Sequence, residues 1–337
     1  LCRKVDGSSV SERTRGRIAF GRNQALQGPI TAESAVRSRP VPARRRHYCG
    51  DTVPDAPDLL DRRALFRRLH DDGCFVMPNA WDPGSARYLE HLGFRAVATT
   101  SGGFAFSRGR PDAEGAIGLE AALAHLAEIA GATSLPVNAD FQSGYARDPE
   151  GVAANVRRCL DAGACGLSIE DLSGDPDQPL FELSLAVARV EAARAAVDES
   201  GSGAVLTARS EPFVAGLPQP LEEAVRRLPA YADAGADVLF SPGPRDLRSI
   251  RAIVDAVAPR PVNVLIGTSV EFTVGDLAEV GVRRISVGSA LARSAWGGFV
   301  RAARDLAGGS FAGLADAVPF AEMNALFIEQ RKAARRG

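Results

Sequence analysis

The feature that most limits what this chain can become is a rhythm. From residue 59 onward, short β-rich runs alternate with longer helical stretches. The runs are 75–79 (FVMPN), 94–99 (FRAVAT), 136–140 (PVNAD), 165–170 (CGLSIE), 204–209 (AVLTAR), 237–241 (DVLFS), 262–266 (VNVLI) and 284–288 (RISVG). Helices are expected near 84–92, 116–130, 150–162, 182–199, 221–234, 247–258, 274–280 and 290–307. Three helices run into Gly just before the next strand, in AGACG (162–166), AGADV (234–238) and VGVRR (280–284), where a left-handed C-cap is expected. Eight such units with short connections predict an α/β fold, a (β/α)8 TIM-type barrel. A doubly wound sheet is the alternative. Residues 311–337 read as extra C-terminal helices outside the barrel, which places the catalytic barrel at 58–310.

Residues 1–57 break the rhythm. They are rich in Arg, Ser and Gly, include the run Arg44–Arg45–Arg46, and show no sustained apolar period. They are expected to be a disordered extension. An Arg-rich, acid-poor leader fits a transit peptide, and a non-functional extension is the plainer reading. Their charge is also distinct. Residues 1–50 hold ten Arg, Lys4 and three acids, while the rest of the chain is acidic, bringing the total to −1. An acidic body argues against nucleic acid as a partner.

Several chemistries are excluded by what is missing. The two Lys, Lys4 and Lys332, lie near the ends of the sequence, which removes Schiff-base chemistry, pyridoxal phosphate and a P-loop. The four His are scattered with no HxH or HExxH pair, so a His-rich zinc site is not expected. Five Cys with no CxxC read as free thiols in a reducing, cytoplasmic setting. There is no run of 18 apolar residues, hence no membrane-spanning helix.

In a β/α barrel the active site lies at the C-terminal ends of the strands. That rule selects Asn79, Trp81 and Asp82, then Thr99 to Gly103, Asn138 and Asp140, Glu170 and Asp171, Arg209 and Glu211, Ser241, Asn263, and Gly288 and Ser289. Asp140 and Glu170 end adjacent strands. Two close carboxylates repel unless a cation such as Mg²⁺ or Mn²⁺ joins them. Arg209 offers a planar fork for a substrate carboxylate or phosphonate. Each residue also has a plainer role. Asp140 could anchor a loop, Glu170 and Asp171 could cap the next helix, Arg209 could merely pair with Glu211, and Gly102–Gly103 could be a turn. Trp81 reads as wall. Cys159 and Cys165 read as packing, with no nearby base to activate a thiol.

The stretches NAWDPGSARYLEHLGFRAVATTSGG (79–103), PVNADFQSGYARDPEGV (136–152), AGACGLSIEDLSG (162–174), LTARSEPFVAG (206–216) and VRRISVGSALARSAW (282–296) resemble the isocitrate lyase/phosphoenolpyruvate mutase superfamily. The resemblance runs from about 60 to 330. It implies a Mg²⁺-dependent barrel that makes or breaks a C–C or C–P bond through the enolate of a 2-oxo acid. It also implies a homotetramer with an exchanged C-terminal helix. By that resemblance Ser101, Gly102 and Gly103 hold the 2-oxo acid, Asp112 is the loop Asp near the metal, and Asp140 is the second acid of D-x-D. Glu170 holds metal-bound water, and Arg209 grips the substrate carboxylate. Trp81 and Asn263 complete the substrate-binding set.

Two departures stand out. The first Asp of D-x-D is Asn138, a neutral oxygen donor. The lyases' K-K-C-G-H gating loop is replaced by LSGDPDQPLF (172–181), which lacks the Cys acid, and the mutase's Asn-bearing loop is not recognisable. The chain therefore looks like the carboxyvinyl-carboxyphosphonate phosphorylmutase-like branch. Three functions follow as expectations: a C–C lyase of a small 2-oxo or 2-hydroxy dicarboxylate, a C–P mutase or hydrolase, and a catalytically weak substrate-binding barrel.

Overall fold

Side chains on a strand alternate between two faces, so a closed parallel sheet must satisfy an inside and an outside at once. The computed structural model describes residues 58–113 and 115–333. Its strands are β1 (Phe75–Met77), β2 (Val97–Ala98), β3 (Val137–Asp140), β4 (Gly166–Glu170), β5 (Val205–Arg209), β6 (Val238–Phe240), β7 (Val262–Leu265) and β8 (Arg284–Ser286). All pair in parallel, in the order β1-β8-β7-β6-β5-β4-β3-β2. An isolated parallel bridge, Asn79 to Ala98, joins β1 to β2 and brings the sheet round. The expected (β/α)8 barrel is the fold.

The outward parity is apolar. Val97, Val137, Leu167, Ile169, Leu206, Leu239, Val264 and Ile285 pack against the surrounding helices in one continuous core. The helices are α2 (Pro83–His91), α4 (Leu119–Ala132), α5 (Pro149–Asp161), α6 (Leu183–Glu199), α7 (Pro220–Asp233), α8 (Leu247–Val257), α9 (Val274–Glu279) and α10 (Ala290–Ala307). Pro at the first helical position starts α2, α5 and α7, where a missing N–H costs nothing. The expected C-cap glycines Gly163, Gly235 and Gly281 have φ of 101°, 98° and 93°, which only Gly adopts without strain.

Two helices are additional to the expected set. α1 (Leu59–Arg68) closes the barrel's N-terminal end: Phe66 and Leu69 cluster with the inward residues Phe75, Met77, Ala96, Ala98, Val205 and Val238. Arg63 fixes α1 by donating to the Ala164 and Leu160 carbonyls at 2.9 and 2.8 Å. The short α3 (Ser101–Ser107) begins directly at the end of β2, capped by the Thr100 hydroxyl, which accepts from Gly103 N at 3.1 Å. Beyond α10, a 3₁₀ turn (Ala312–Leu314) and α11 (Phe320–Ala333) form the expected C-terminal helical segment. Residues 1–57 lie outside the described residues, so the expected extension is not part of this description. Among the described residues no helix is long and apolar enough to cross a membrane.

Candidate active site

Above the apolar plug, the inward residues turn polar: Asn138, Ser168, Thr207, Asn263, Arg284 and Ser286 are all buried. They lead up to a cavity of about 160 Å³, against about 20 Å³ or less for the other described pockets. It opens at the C-terminal ends of the strands. Ser101, Gly102, Asp112, Asn138, Asp140, Arg209 and Asn263 line it. Four strand ends and one loop thus bring together most of the residues singled out in the sequence.

The centre of the site is Arg209. Its guanidinium lies 2.9 Å from Asp140 Oδ1, 3.0 Å from Glu170 Oε2 and 2.6 Å from Glu211 Oε1. These carboxylates hold the Arg209 pKa above its ordinary value against the cost of burial. The plain pairing with Glu211 is therefore real, and two further acids join it. Glu211 is wholly buried. Burial pushes its carboxyl up, with Arg209 opposing. Its backbone N–H donates to Asp171 Oδ1 at 2.8 Å. Asp171 in turn accepts from Tyr231 OH at 2.6 Å and from Arg227 Nη1 at 3.3 Å, which ties the end of β4 to α7. Neither Glu170 nor Asp171 caps α6, whose N-cap is Glu182.

Asp140 accepts both the backbone N–H and the hydroxyl of Ser101 at 2.9 Å. Asp112 lies on Gly102: a Cβ there would come within 2.5 Å of Asp112 Oδ2. Burial, then the nearby Asp140 charge, raises the Asp112 pKa, while Arg209 and Ser101 oppose the rise. Gly103 is equally constrained, since a Cβ would come within 2.6 Å of Thr100 Cγ2 and 3.1 Å of Trp81 Cβ. The two glycines therefore exist for close approach. Trp81 packs behind Gly103 and does not line the cavity. Its carbonyl accepts from His125 Nε2 at 2.9 Å. Glu170 sits behind Arg209. Asn263 lines the cavity, with its amide shared between Ser286 Oγ at 2.9 Å and Arg284 Nε at 2.9 Å.

The loop after Asp140 is unusual. Gln142 and Tyr145 have φ of 46° and 56°, a region disfavoured for residues with a Cβ. Arg189 from α6 holds this loop by donating to the carbonyls of Ser143, Ala146 and Arg147. The connection after β4 is short and fastened. Leu172 bridges Leu180, and Ser173 N donates to the Pro179 carbonyl at 3.0 Å. It brings no Lys, Cys or His to the cavity. Cys159 and Cys165 are buried, and burial raises both thiol pKa values, as expected for packing.

The donor set suits a hard divalent cation. Asp112, Asp140 and Glu170 offer carboxylate oxygens, and Asn138 Oδ1 is buried with no hydrogen-bond partner. Among the described residues, no three His, Cys, Asp or Glu side chains close on one point. A cation bound here would draw its remaining ligands from water or substrate.

Comparison with known proteins agrees with this geometry. The phosphoenolpyruvate phosphomutase family model matches residues 66–307, and the chain belongs to that family. It is 34% identical over 246 residues to oxaloacetate decarboxylase of Paraburkholderia xenovorans, covering 68% of this chain and 75% of the relative. A solved structure from Burkholderia cenocepacia J2315, provisionally assigned as a lyase or mutase, is 43% identical with a TM-score of 0.77 and covers 80% of this chain and 98% of its own. Phosphonopyruvate hydrolase bound to oxalate and Mg²⁺ is 26% identical with a TM-score of 0.71, covering 81% and 97%.

Among the lining residues that the sequence does not single out is Arg284, which stands beside Arg283 as one of two adjacent charges. Strand parity identifies it: Ile285 faces the helices, so its neighbour must face the barrel.

Proposed function

We propose that this chain is a Mg²⁺-dependent lyase that cleaves a C–C bond of a small 2-oxo or 2-hydroxy dicarboxylate through an enolate. The observation that carries the reading is the charge of the cavity mouth. Three carboxylates, Asp140, Glu170 and Glu211, close on one guanidinium, Arg209, and a fourth, Asp112, stands near Asp140. An anionic substrate cannot approach so many carboxylates unless a cation balances them. The similarity to oxaloacetate decarboxylase favours a 2-oxo diacid over a phosphonate.

Mg²⁺, held by Asp140, Glu170 and Asn138 with Asp112 nearby, would supply Lewis-acid stabilisation of the developing enolate oxyanion. Ser101 keeps Asp140 oriented through its N–H and hydroxyl. Glu211 and Asp171 keep Arg209 in register at the end of β5. Asp112 lines the cavity against Gly102, where it is placed to meet a bound substrate. With oxaloacetate, the C3–C4 bond would break, CO₂ would leave, and its electron pair would form the enolate of pyruvate, which then takes a proton. The exposed apolar residues of α10 and the C-terminal segment, including Phe299, Phe311 and Phe320, support a homo-oligomer, with a tetramer as the expected form.

The second reading, a phosphonopyruvate-type mutase or hydrolase, rests on the family model and on the hydrolase structure. The test is a substrate screen with Mg²⁺: oxaloacetate and malate-type acids followed by product release, phosphonopyruvate by phosphorus NMR. Chelator-sensitive turnover of a dicarboxylate is expected. Phosphonopyruvate consumption with every dicarboxylate left intact would overturn the lyase reading.

A further inference from the structure

Arg284 is a cation inside the barrel with no acid beside it. It starts β8, is 1% exposed, and lines the floor of the cavity whose mouth holds Arg209. Its partners are uncharged acceptors: Asn263 Oδ1 at 2.9 Å from Nε, Thr207 Oγ1 at 2.9 Å from Nη2, and His70 Nε2 at 3.3 Å from Nη1. His70 is the neutral tautomer with its proton on Nδ1, which donates to the Phe66 carbonyl at 2.8 Å. Burial and the adjacent Arg284 push the imidazole down to about 3, so it adds no charge. A guanidinium carries five N–H donors, and these bonds use three. Among the described residues no carboxylate forms a salt bridge with Arg284, because the acids of this site are gathered round Arg209.

A purely structural cross-strand pin has no need of charge, and burying an unpaired charge is costly. That cost is recovered if the counter-charge arrives with the ligand. We propose that Arg284 is a specificity-determining residue: it is the floor of the site and receives the second acidic group of the substrate, selecting two-acid ligands over their one-acid analogues. The neutral partners then have a purpose. They fix the guanidinium plane without cancelling its charge, and the apolar Phe66–Leu69 plug closes the barrel beneath it. Burial draws the Arg284 pKa down to about 9, so the group is charged at neutral pH yet lacks the compensation that Arg209 enjoys.

This inference rests on the proposed substrate being a small acid, but it does not require that a C–C bond be cleaved. Phosphonates of the same size also carry two acidic groups. The test is calorimetric titration, in the presence of Mg²⁺, of malate, 2-hydroxy-3-phosphonopropionate and lactate into the full-length protein and into Arg284→Gln and Arg284→Lys. The wild type should bind the two-acid ligands at least about tenfold tighter than lactate. Arg284→Gln should lose that preference with lactate affinity little changed, and Arg284→Lys should recover part of it. A wild type that binds lactate as tightly as malate overturns the proposal without any variant. So does an Arg284→Gln protein that keeps the preference, or that weakens all three ligands equally. If phosphonopyruvate proves to be the substrate while the Arg284 pattern holds, the lyase reading fails and the floor cation stands.

Discussion

Two arginines share the barrel interior, and their company differs. Arg209, at the upper end of β5, has three carboxylates against it. Arg284 reaches across from β8 to Thr207, two residues earlier on β5, and has none. Arg284 is buried, and Arg209 is nearly so, with 16% of its side chain exposed. What separates them is whether the protein supplies the counter-charge. Arg209 is raised in pKa by its acids, while Arg284 is lowered by burial alone. A compensated charge of this kind organises a site. An uncompensated one is a standing cost that a ligand can relieve.

The sharpest way to break this contrast is to remove each cation in turn. Arg209→Met would strand Asp140, Glu170 and Glu211 together in the barrel mouth. The expected loss of stability is about 3–5 kcal/mol, with activity abolished. Arg284→Met removes a charge that had no partner. Its loss should be smaller, about 1–3 kcal/mol from the acceptors left unsatisfied. Urea denaturation of both variants measures the difference, and equal losses would erase the distinction drawn here.

His70 sharpens the contrast from the pH side. Its folded pKa is about 3 against an ordinary 6.5. As pH falls from 6.5 toward 3, the unfolded chain takes up a proton that the folded chain refuses, so stability declines through that window. Between pH 7 and pH 4 this group should account for about 3 kcal/mol of lost stability. Replacing it with Gln keeps an acceptor for Arg284 and should flatten that part of the pH profile. A wild-type profile that is already flat between pH 7 and pH 4 would mean that His70 charges freely beside Arg284.

The mouth can be probed without touching a charge. Gly103→Ala forces a methyl into Thr100, Trp81 and Ala292, at 2.6, 3.1 and 3.2 Å, and should cost about 1–3 kcal/mol. Gly102→Ala meets the Asp112 carboxylate, which sits on a loop and can retreat. It should lower kcat more than it lowers Tm. If the two variants behave alike, Asp112 is a structural neighbour of Gly102 rather than part of the chemistry.

The mouth was also the legible half of the molecule. The alternation of β-rich runs with helices, and the Gly caps, mark the barrel, and the rule that barrels work at their strand ends leads to Asp140, Glu170 and Arg209. Asp112 came only from family resemblance, because nothing in SRGRPD ties it to a strand end. The floor was illegible for a physical reason. α1 carries Arg at four of its ten positions, and one of them, Arg63, is buried beside Phe66, so its inner face does not read as purely apolar. Arg284 reads as surface until the parity of β8 is imposed. A buried charge without a counter-charge is what pattern reading assumes away.

Asn138 lies between the two levels and gives the finest test. Its Oδ1 is buried without a partner, its Nδ2 has only a long 3.4 Å contact to the Ala139 carbonyl, and it faces Gly166, where a Cβ would come within 2.9 Å of Oδ1. The amide oxygen is therefore left without a protein donor. A neutral oxygen weakens the pull on a divalent cation but can still coordinate one. Asn138→Asp should tighten Mg²⁺ binding measured by calorimetry, by about tenfold or less, and shift the activation curve to lower Mg²⁺. The added charge has a second consequence that depends on which level Asn138 serves. If it belongs to the mouth with Asp140, the cation absorbs the new charge and KM changes little. If it belongs to the floor with Arg284, the carboxylate competes with the substrate's second acidic group, so KM rises for two-acid substrates while Mg²⁺ affinity stays fixed. A protein whose activity ignores both added Mg²⁺ and a chelator, in either form, would remove the metal from the mouth and leave Arg209 as the only cation there.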